Sequence, residues 1–287
     1  MRRRDMLRTS GAAVLGLSAF PFGWVAAAEK KKQKILYFTR SVQFEHSVVA
    51  RQGDALSHSE KILTELGKEA GFDVECSKDG RLFDGDLDQY DALAFYSCGD
   101  MSQPSVDKAP PMSAEGKKRL VEAVAAGKPF IGIHSACYWG AEAGPEDPYL
   151  QMVGANFVSH GAQQESTMRV TCSKFPGAEG LGKSFRLMDE WYALKDFSDN
   201  LHVVLAEDNE GMQGPMYQRP SFPSTWARTH GKGRVFYTAM GHREDVWTHA
   251  TFQKILLGGI AWALGNVEAD VTPNVREATP KANQLPG

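Results

Sequence analysis

Four short apolar runs, residues 34–39 (KILYFT), 72–76 (FDVEC), 91–97 (DALAFYS) and 129–133 (PFIGI), alternate with helix-length segments, and this alternation constrains the fold more than any other feature. Parallel strands need a crossover of a dozen or more residues between them, usually a helix, and strands covered on both faces read as nearly unbroken apolar runs. Residues 57–70 carry a helical pattern that Gly71 ends. Residues 113–126 carry a second, with Ser113 as its cap and Gly127 as its stop. The pattern predicts an α/β protein with a doubly wound, mostly parallel sheet of flavodoxin-like type.

The second half is richer in strands, at residues 165–172, 202–206, 224–228 and 234–239, and His230-Gly231-Lys232-Gly233 supplies a turn that makes the last two a hairpin. Residues 251–264 form a terminal helix with Phe252, Ile255, Leu256, Ile260 and Trp262 on one stripe. No repeat or internal boundary divides residues 34–265, which read as one domain. Residues 266–287, with Pro273, Pro280 and Pro286, are expected to be an irregular tail, either docked on the surface or mobile.

Residues 1–28 have their own composition: Arg2-Arg3-Arg4, an apolar run over residues 11–25, then Ala26-Ala27-Ala28. These are the three regions of a signal peptide. Arg3-Arg4-Asp5-Met6-Leu7-Arg8 is similar to the twin-arginine export pattern, with Met6 in place of the usual Phe and Arg8 in place of Lys. Export to the periplasm, or out of the cytoplasm more generally, is the expectation. No later segment approaches the roughly 18 apolar residues that span a bilayer, so no transmembrane helix is expected in the mature chain. A formal net charge of −3, with no basic run interleaved with aromatics after the amino terminus, sets nucleic-acid partners aside. Cys76, Cys98, Cys137 and Cys172 form no C-x-x-C pair; export would permit a disulfide that sequence alone does not assign, and buried free thiols are the expectation.

Ligands of open parallel sheets bind outside the carboxyl ends of the strands. There the sequence places Arg40 to His46 after the first run, Gly99-Asp100 after the third, His134 to Trp139 after the fourth, and Gly241-His242-Arg243-Glu244 after the last. Three histidines, His46, His134 and His242, thus fall on one rim. His160-Gly161 and Asp189-Glu190-Trp191-Tyr192 lie in loops whose position the pattern leaves open. His58, His202, His230 and His249 sit on helix, strand or turn positions and are treated as background.

The Phe-Glu-His-Ser loop at 44–47, Gly-Lys-Pro-Phe-Ile-Gly-Ile-His at 127–134, His160, Asp189-Glu190-Trp191-Tyr192 and the Gly-Lys-Gly-Arg-Val-Phe-Tyr-Thr…Gly-His stretch at 231–242 together resemble the ThuA-like, trehalose-utilisation family. The resemblance covers residues 34–265 and implies a fold similar to the class I glutamine amidotransferases. Such a fold carries a cysteine nucleophile at a sharp turn after a Gly-Ile strand ending. His134 occupies that place here. An imidazole there cannot perform thiolate attack, and Cys137 is three residues away, so amidotransferase chemistry is disfavoured. G-x-S-x-G, H-E-x-x-H, a phosphate-cradling loop and G-x-G-x-x-G are all lacking, and no nucleotide cofactor is expected.

What the resemblance implies is the handling of trehalose and related glucosides, as their 3-keto derivatives. A 3-keto group acidifies the C2 hydrogen, so a near-neutral base can remove it and expel the glycosidic oxygen. The expectation is a lyase or hydrolase centre lined by His46, His134 and His242, with Glu190 as base or ligand and His160 as a further acid/base group. The same three histidines and Glu190 are candidate ligands of a divalent, zinc-like metal. Arg40, Asp100, Trp139, Trp191, Tyr192 and Arg243 are candidates for sugar binding, and Trp247 for stacking on a sugar face. Core packing and capping are the competing roles for these residues. Two other readings stay open: a noncatalytic carbohydrate-binding protein on the same scaffold, and another small-molecule enzyme. The oligomeric state is not legible.

Overall fold

The strands, in chain order, are β1 (Gln33–Phe38), β2 (Phe72–Ser77), β3 (Ala92–Phe95), β4 (Phe130–Ile133), β5 (Asn156–His160), β6 (Gln164–Val170), β7 (Ser184–Asp189), β8 (Tyr192–Lys195), β9 (His202–Asp208), β10 (Phe222–His230) and β11 (Gly233–Thr238). The helices are α1 (His58–Ala70), α2 (Ala114–Ala126), α3 (Pro148–Val153), α4 (Glu244–Trp247), α5 (Ala250–Ala263) and α6 (Val275–Ala278). The structure is a computed structural model and describes residues 32–286. The export signal expected over residues 1–28 therefore lies outside the described residues.

Nine strands form one sheet in the order β2-β1-β3-β4-β11-β10-β9-β6-β7. From β2 to β11 every pairing is parallel, and this half follows the flavodoxin strand order, as predicted. From β11 to β7 every pairing is antiparallel. The β10–β11 hairpin runs in register from Thr225↔Thr238 to His230↔Gly233, so Gly231, at φ +58°, and Lys232 make its turn.

Strand alternation distributes the core between the two faces. Leu36 and Phe38 pack with Leu120 and Val124 of α2, whereas Ile35 and Tyr37 pack with Leu63 of α1 and Phe252 and Ile255 of α5. All are essentially inaccessible, and each side chain so buried stabilises the fold by about 1.5–3 kcal/mol relative to exposure. The helix signals hold locally. Ser57 and Glu60 cap α1 reciprocally, and Gly71 ends it at φ +88°. Ser113 accepts from the Gly116 amide at 2.8 Å to start α2.

Three strands escape the sequence pattern. β7 is an edge strand with polar and half-exposed positions, and β5 and β8 are short and pair only with each other, as a separate antiparallel ribbon. The tail is docked. Val275 and Ala282 enter the core, the Asn283 side chain exchanges hydrogen bonds with the backbone of Phe197, and the Ala282 carbonyl accepts from Arg219. No helix of the described residues is long and apolar enough to cross a membrane.

Candidate metal and acid–base centre

β1 delivers His46 to the carboxyl rim through a loop fastened at several points. Arg40 is fully buried, and its guanidinium donates to the carbonyls of Met101, Gln103, Ala109 and Pro110, pinning the neighbouring 101–110 segment. Lys78 joins Glu45, Asp107 and the Thr39 carbonyl at 2.8–3.2 Å. His46 itself opens a short 3-10 turn, Ser47–Val49, anchored by buried Val48 and Val49. The imidazole is thereby held 2 % exposed, with Nε2 3.2 Å from the Tyr192 hydroxyl.

His134 follows β4 directly and has φ +47°, the left-handed region that a side chain other than glycine rarely occupies. The sharp turn expected at this position is thus present, with an imidazole on it. Its Nδ1 lies 2.8 Å from the Ala239 carbonyl, an arrangement that requires Nδ1–H as donor and turns Nε2 toward the interior of the site. The His134 carbonyl in turn accepts from the Tyr237 hydroxyl at 2.6 Å.

Glu190 and Trp191 are the two residues by which the chain leaves the large sheet at the end of β7 and enters the small ribbon at β8. Trp191 locks that crossing: it is fully buried, its indole N–H donates to the Gln164 carbonyl at 2.8 Å, and its own carbonyl accepts from the Tyr217 hydroxyl at 2.6 Å. Asp189 ties the crossing to the loop after β11, accepting the amides of Gly241 at 2.8 Å, Arg243 at 3.2 Å and Glu190 at 3.0 Å. Gly241, at φ +117°, lets that loop turn His242 inward.

These connections bring together residues far apart in the chain. The rings of His46, His134 and His242 stand 5.1, 5.2 and 5.3 Å from one another, edge to face. Glu190 Oε1 lies 3.1 Å from His242 Nδ1 and 3.7 Å from His134 Nε2, and Oε2 lies 3.1 Å from His160 Nδ1. His46, His134, Glu190 and His242 each offer one donor atom, all within 4.8 Å of one another. His134 Nε2 and His242 Nδ1 are buried with the Glu190 carboxylate as their nearest polar neighbour, and His46 Nδ1 is buried without a hydrogen-bond partner, a donor set that could hold a cation. His160 is placed differently. It ends β5 opposite Tyr192 in the ribbon, and its side chain is 45 % exposed at the solvent edge of the cluster.

The electrostatics follow from that crowding. Burial, reinforced by the neighbouring His134 and His242, pulls His46 well below the ordinary imidazole value, so it is neutral at pH 7. Burial alone would raise the Glu190 carboxyl, but hydrogen bonding and attraction from His134 and His242 outweigh it and hold the group far below the usual carboxylate range. A neutral His46 beside an ionised Glu190 matches the protonation states a divalent ion requires.

The remaining predicted residues divide clearly. Tyr192 belongs to the centre: its ring is 4.1 Å from that of His134 and stacks at 5.9 Å on that of His160. Arg40 does not face the crevice, because its charge is satisfied entirely inside the protein. Trp139 packs on Tyr149 and under the Lys117 ammonium, and Trp247 donates to the Gly241 carbonyl from the core. Trp191 is core as well. Asp100 caps the turn at Ser102, and the guanidinium of Arg243 pairs with Asp245 and Gln163 at the surface. For these, packing and capping describe the observed contacts. Sequence reasoning gave no individual role to three participants: Asp189, the staple described above; Tyr96, buried against both His46 and His134; and Phe44, 57 % exposed beside His46. An exposed aromatic next to a rim histidine was a signal for Phe44, whereas Asp189 carried none beyond adjacency to Glu190.

Fold and cluster together define a class: an α/β chain of flavodoxin-like sheet order with an imidazole–carboxylate centre at the carboxyl rim. The chain belongs to the ThuA family, described as trehalose utilisation, whose family model matches residues 34–263. Its fold is similar to that of a putative ThuA-like protein from Parabacteroides merdae, at 20 % identity and a TM-score of 0.59 over 89 % of this chain and 97 % of that one. A putative ThuA-like protein from Bacteroides uniformis is similar at 16 % identity and a TM-score of 0.60, over 85 % and 95 %. No curated protein matches the chain by sequence.

Proposed function

We propose that the chain is a carbohydrate-processing enzyme that cleaves 3-keto-glycosides, such as trehalose derivatives, with a divalent metal held by His46, His134, His242 and Glu190. The observation that carries this reading is the convergence of His46, His134 and His242 on the Glu190 carboxylate, each offering one donor atom within 4.8 Å of the others. A sugar-binding surface has no use for such a centre, whereas proton transfer next to a carbonyl does. Three imidazoles and one carboxylate suit a zinc-like ion, which when bound supplies Lewis acidity toward a carbonyl or enolate oxygen.

His160 is the group assigned to the proton. Of the two partly exposed imidazoles in contact with Glu190 it is the more open, 45 % exposed against 13 % for His242, so a substrate at the rim can reach it. It takes the proton from C2 of the keto sugar, the C2–H electron pair becomes part of the enolate, and the C1–O bond to the aglycone breaks. The departing alcohol takes up a proton. Glu190 Oε2 orients the His160 ring, Tyr192 stacks behind it, and exposed Phe44 offers an apolar edge for a sugar face. An exported site of action belongs to the same reading and rests on the sequence of residues 1–28.

The test is to incubate the purified chain with 3-ketotrehalose and with trehalose, before and after chelation. Turnover of the keto sugar alone, lost on chelation and restored by zinc, supports the reading. Saturable binding of sugar with no turnover in any condition assigns the scaffold to carbohydrate binding instead.

A further inference from the structure

The β5–β8 ribbon pairs with no strand of the nine-stranded sheet, so strand pairing does not fix where it stands. The chain runs from β5 into β6 across residues 161–163, and from β7 into β8 across Glu190 and Trp191. β6 and β7 are themselves partners, with Gln164 opposite Asp189, and the ribbon ends with His160 opposite Tyr192. The two crossings therefore lie side by side, with His160 at one and Glu190 at the other. A single hydroxyl joins them. Tyr217 donates to the Trp191 carbonyl at 2.6 Å and accepts from the Gly161 amide at 2.9 Å.

Tyr217 closes a short 3-10 turn, Pro215–Tyr217, in the connection between β9 and β10, and it is 1 % exposed. That connection is fastened beside the same crossing, because the Gln164 side chain accepts from the Gln213 amide at 2.8 Å and donates to the Gln213 carbonyl at 2.9 Å. A side chain at position 161 would block the approach of the ring: a Cβ there would lie 2.9 Å from Tyr217 Cε2. Gly161 is the neighbour of His160, and Trp191 is the neighbour of Glu190. Across this join His160 Nδ1 faces two acceptors, Glu190 Oε2 at 3.1 Å and the Gly161 carbonyl at 3.0 Å. Nδ1–H is therefore the donor, and Nε2 is the ring nitrogen left for a substrate.

We infer that Tyr217 is a positioning residue for proton transfer, its hydroxyl clamping the two crossings and so setting His160 against Glu190, a role that rests on His160 being the base of the proposed reaction. The hydroxyl touches no reacting atom. Its removal deprives the Gly161 amide and the buried Trp191 carbonyl of this partner, and the ribbon has no ladder to the sheet that would hold it in place instead. A base displaced by about 1 Å costs on the order of 100-fold in rate, whereas the groups that would hold the sugar are untouched. The loss falls on kcat and not on KM.

Kinetics on 3-ketotrehalose are measured at saturating zinc for the wild-type chain, Tyr217→Phe, His160→Gln and the double variant. Tyr217→Phe is expected to lower kcat at least ~10-fold with KM within about twofold, and to cost nothing further in the His160→Gln background. Gly161→Ala, which forces the ring away with the hydroxyl intact, is expected to show the same split and replaces Tyr217→Phe should that variant not fold. Unchanged kcat in both, or an equal loss with and without His160, overturns the inference. Hydrogen exchange separates that outcome from failure of the reaction itself. In Tyr217→Phe the peptides over residues 156–163 and 190–195 are expected to exchange at least ~10-fold faster than in the wild-type chain, while those over β1 and β4 keep their rates. A wild-type chain that turns over no keto sugar overturns the reaction and with it the catalytic role of Tyr217, whereas unchanged exchange in the ribbon overturns the clamp.

Discussion

Glu190 and His134 meet across the carboxyl rim, Oε1 3.7 Å from Nε2, although one directly follows an edge strand of the antiparallel half and the other a central parallel strand. The His134 Nδ1–H donates to the Ala239 carbonyl, which turns Nε2 toward Glu190. A carboxylate and an imidazole this close inside a protein need a shared proton or a cation between them.

That requirement makes metal content the first quantity to measure. The purified chain is expected to carry about one divalent ion by elemental analysis, and Glu190→Gln and His134→Ala are each expected to lower its affinity at least ~100-fold. Full metal content in both variants would place any ion elsewhere.

Acid should weaken the metal-free fold in two stages. His46 is held below its ordinary 6.5, so below pH 6.5 the unfolded chain binds a proton that the folded chain refuses, and stability falls as pH drops. Glu190, also held low, contributes stability that is complete above about 4.5 and is lost as pH falls below it. Urea midpoints in chelator should therefore decline from pH 7 to 5, and less steeply for His46→Gln. Parallel declines in the two proteins would show that His46 is not the group responsible.

Arg40 should behave as a structural residue. Arg40→Met leaves four carbonyls of the 101–110 segment without donors and is expected to cost roughly 2–4 kcal/mol in urea unfolding. The KM of the folded fraction should not move. A raised KM at unchanged stability would return Arg40 to the substrate site.

The backbone at His134 gives a comparison free of the imidazole. Alanine at φ +47° is strained and glycine is not, so His134→Gly should be more stable than His134→Ala by about 1 kcal/mol. Equal stabilities would mean that the turn relaxes once the ring is gone.

Much of this protein is written locally. The buried runs of β1, β3 and β4, the caps at Ser57 and Ser113 and the stops at Gly71 and Gly127 act within a few residues, so periodicity and capping chemistry located the parallel half, and the strand-end rule placed His46, His134 and His242 on one rim. What escaped depends on partners remote in the chain. β5 and β8 exist because they pair with each other, and only that ribbon brings His160 to Glu190.

Tertiary packing alone also decided the fate of the large side chains. Arg40, Trp139, Trp191 and Trp247 have the composition of a sugar site and the burial of a core, and sequence carries no record of which neighbour fills the space around an aromatic ring. Sequence determined the sheet, its helices and the rim on which imidazoles would stand, because those follow from spacing and local hydrogen bonding. The distances that make them a centre came from the crossing at Glu190-Trp191 and the Asp189 staple, which join segments about fifty residues apart and have no local signature.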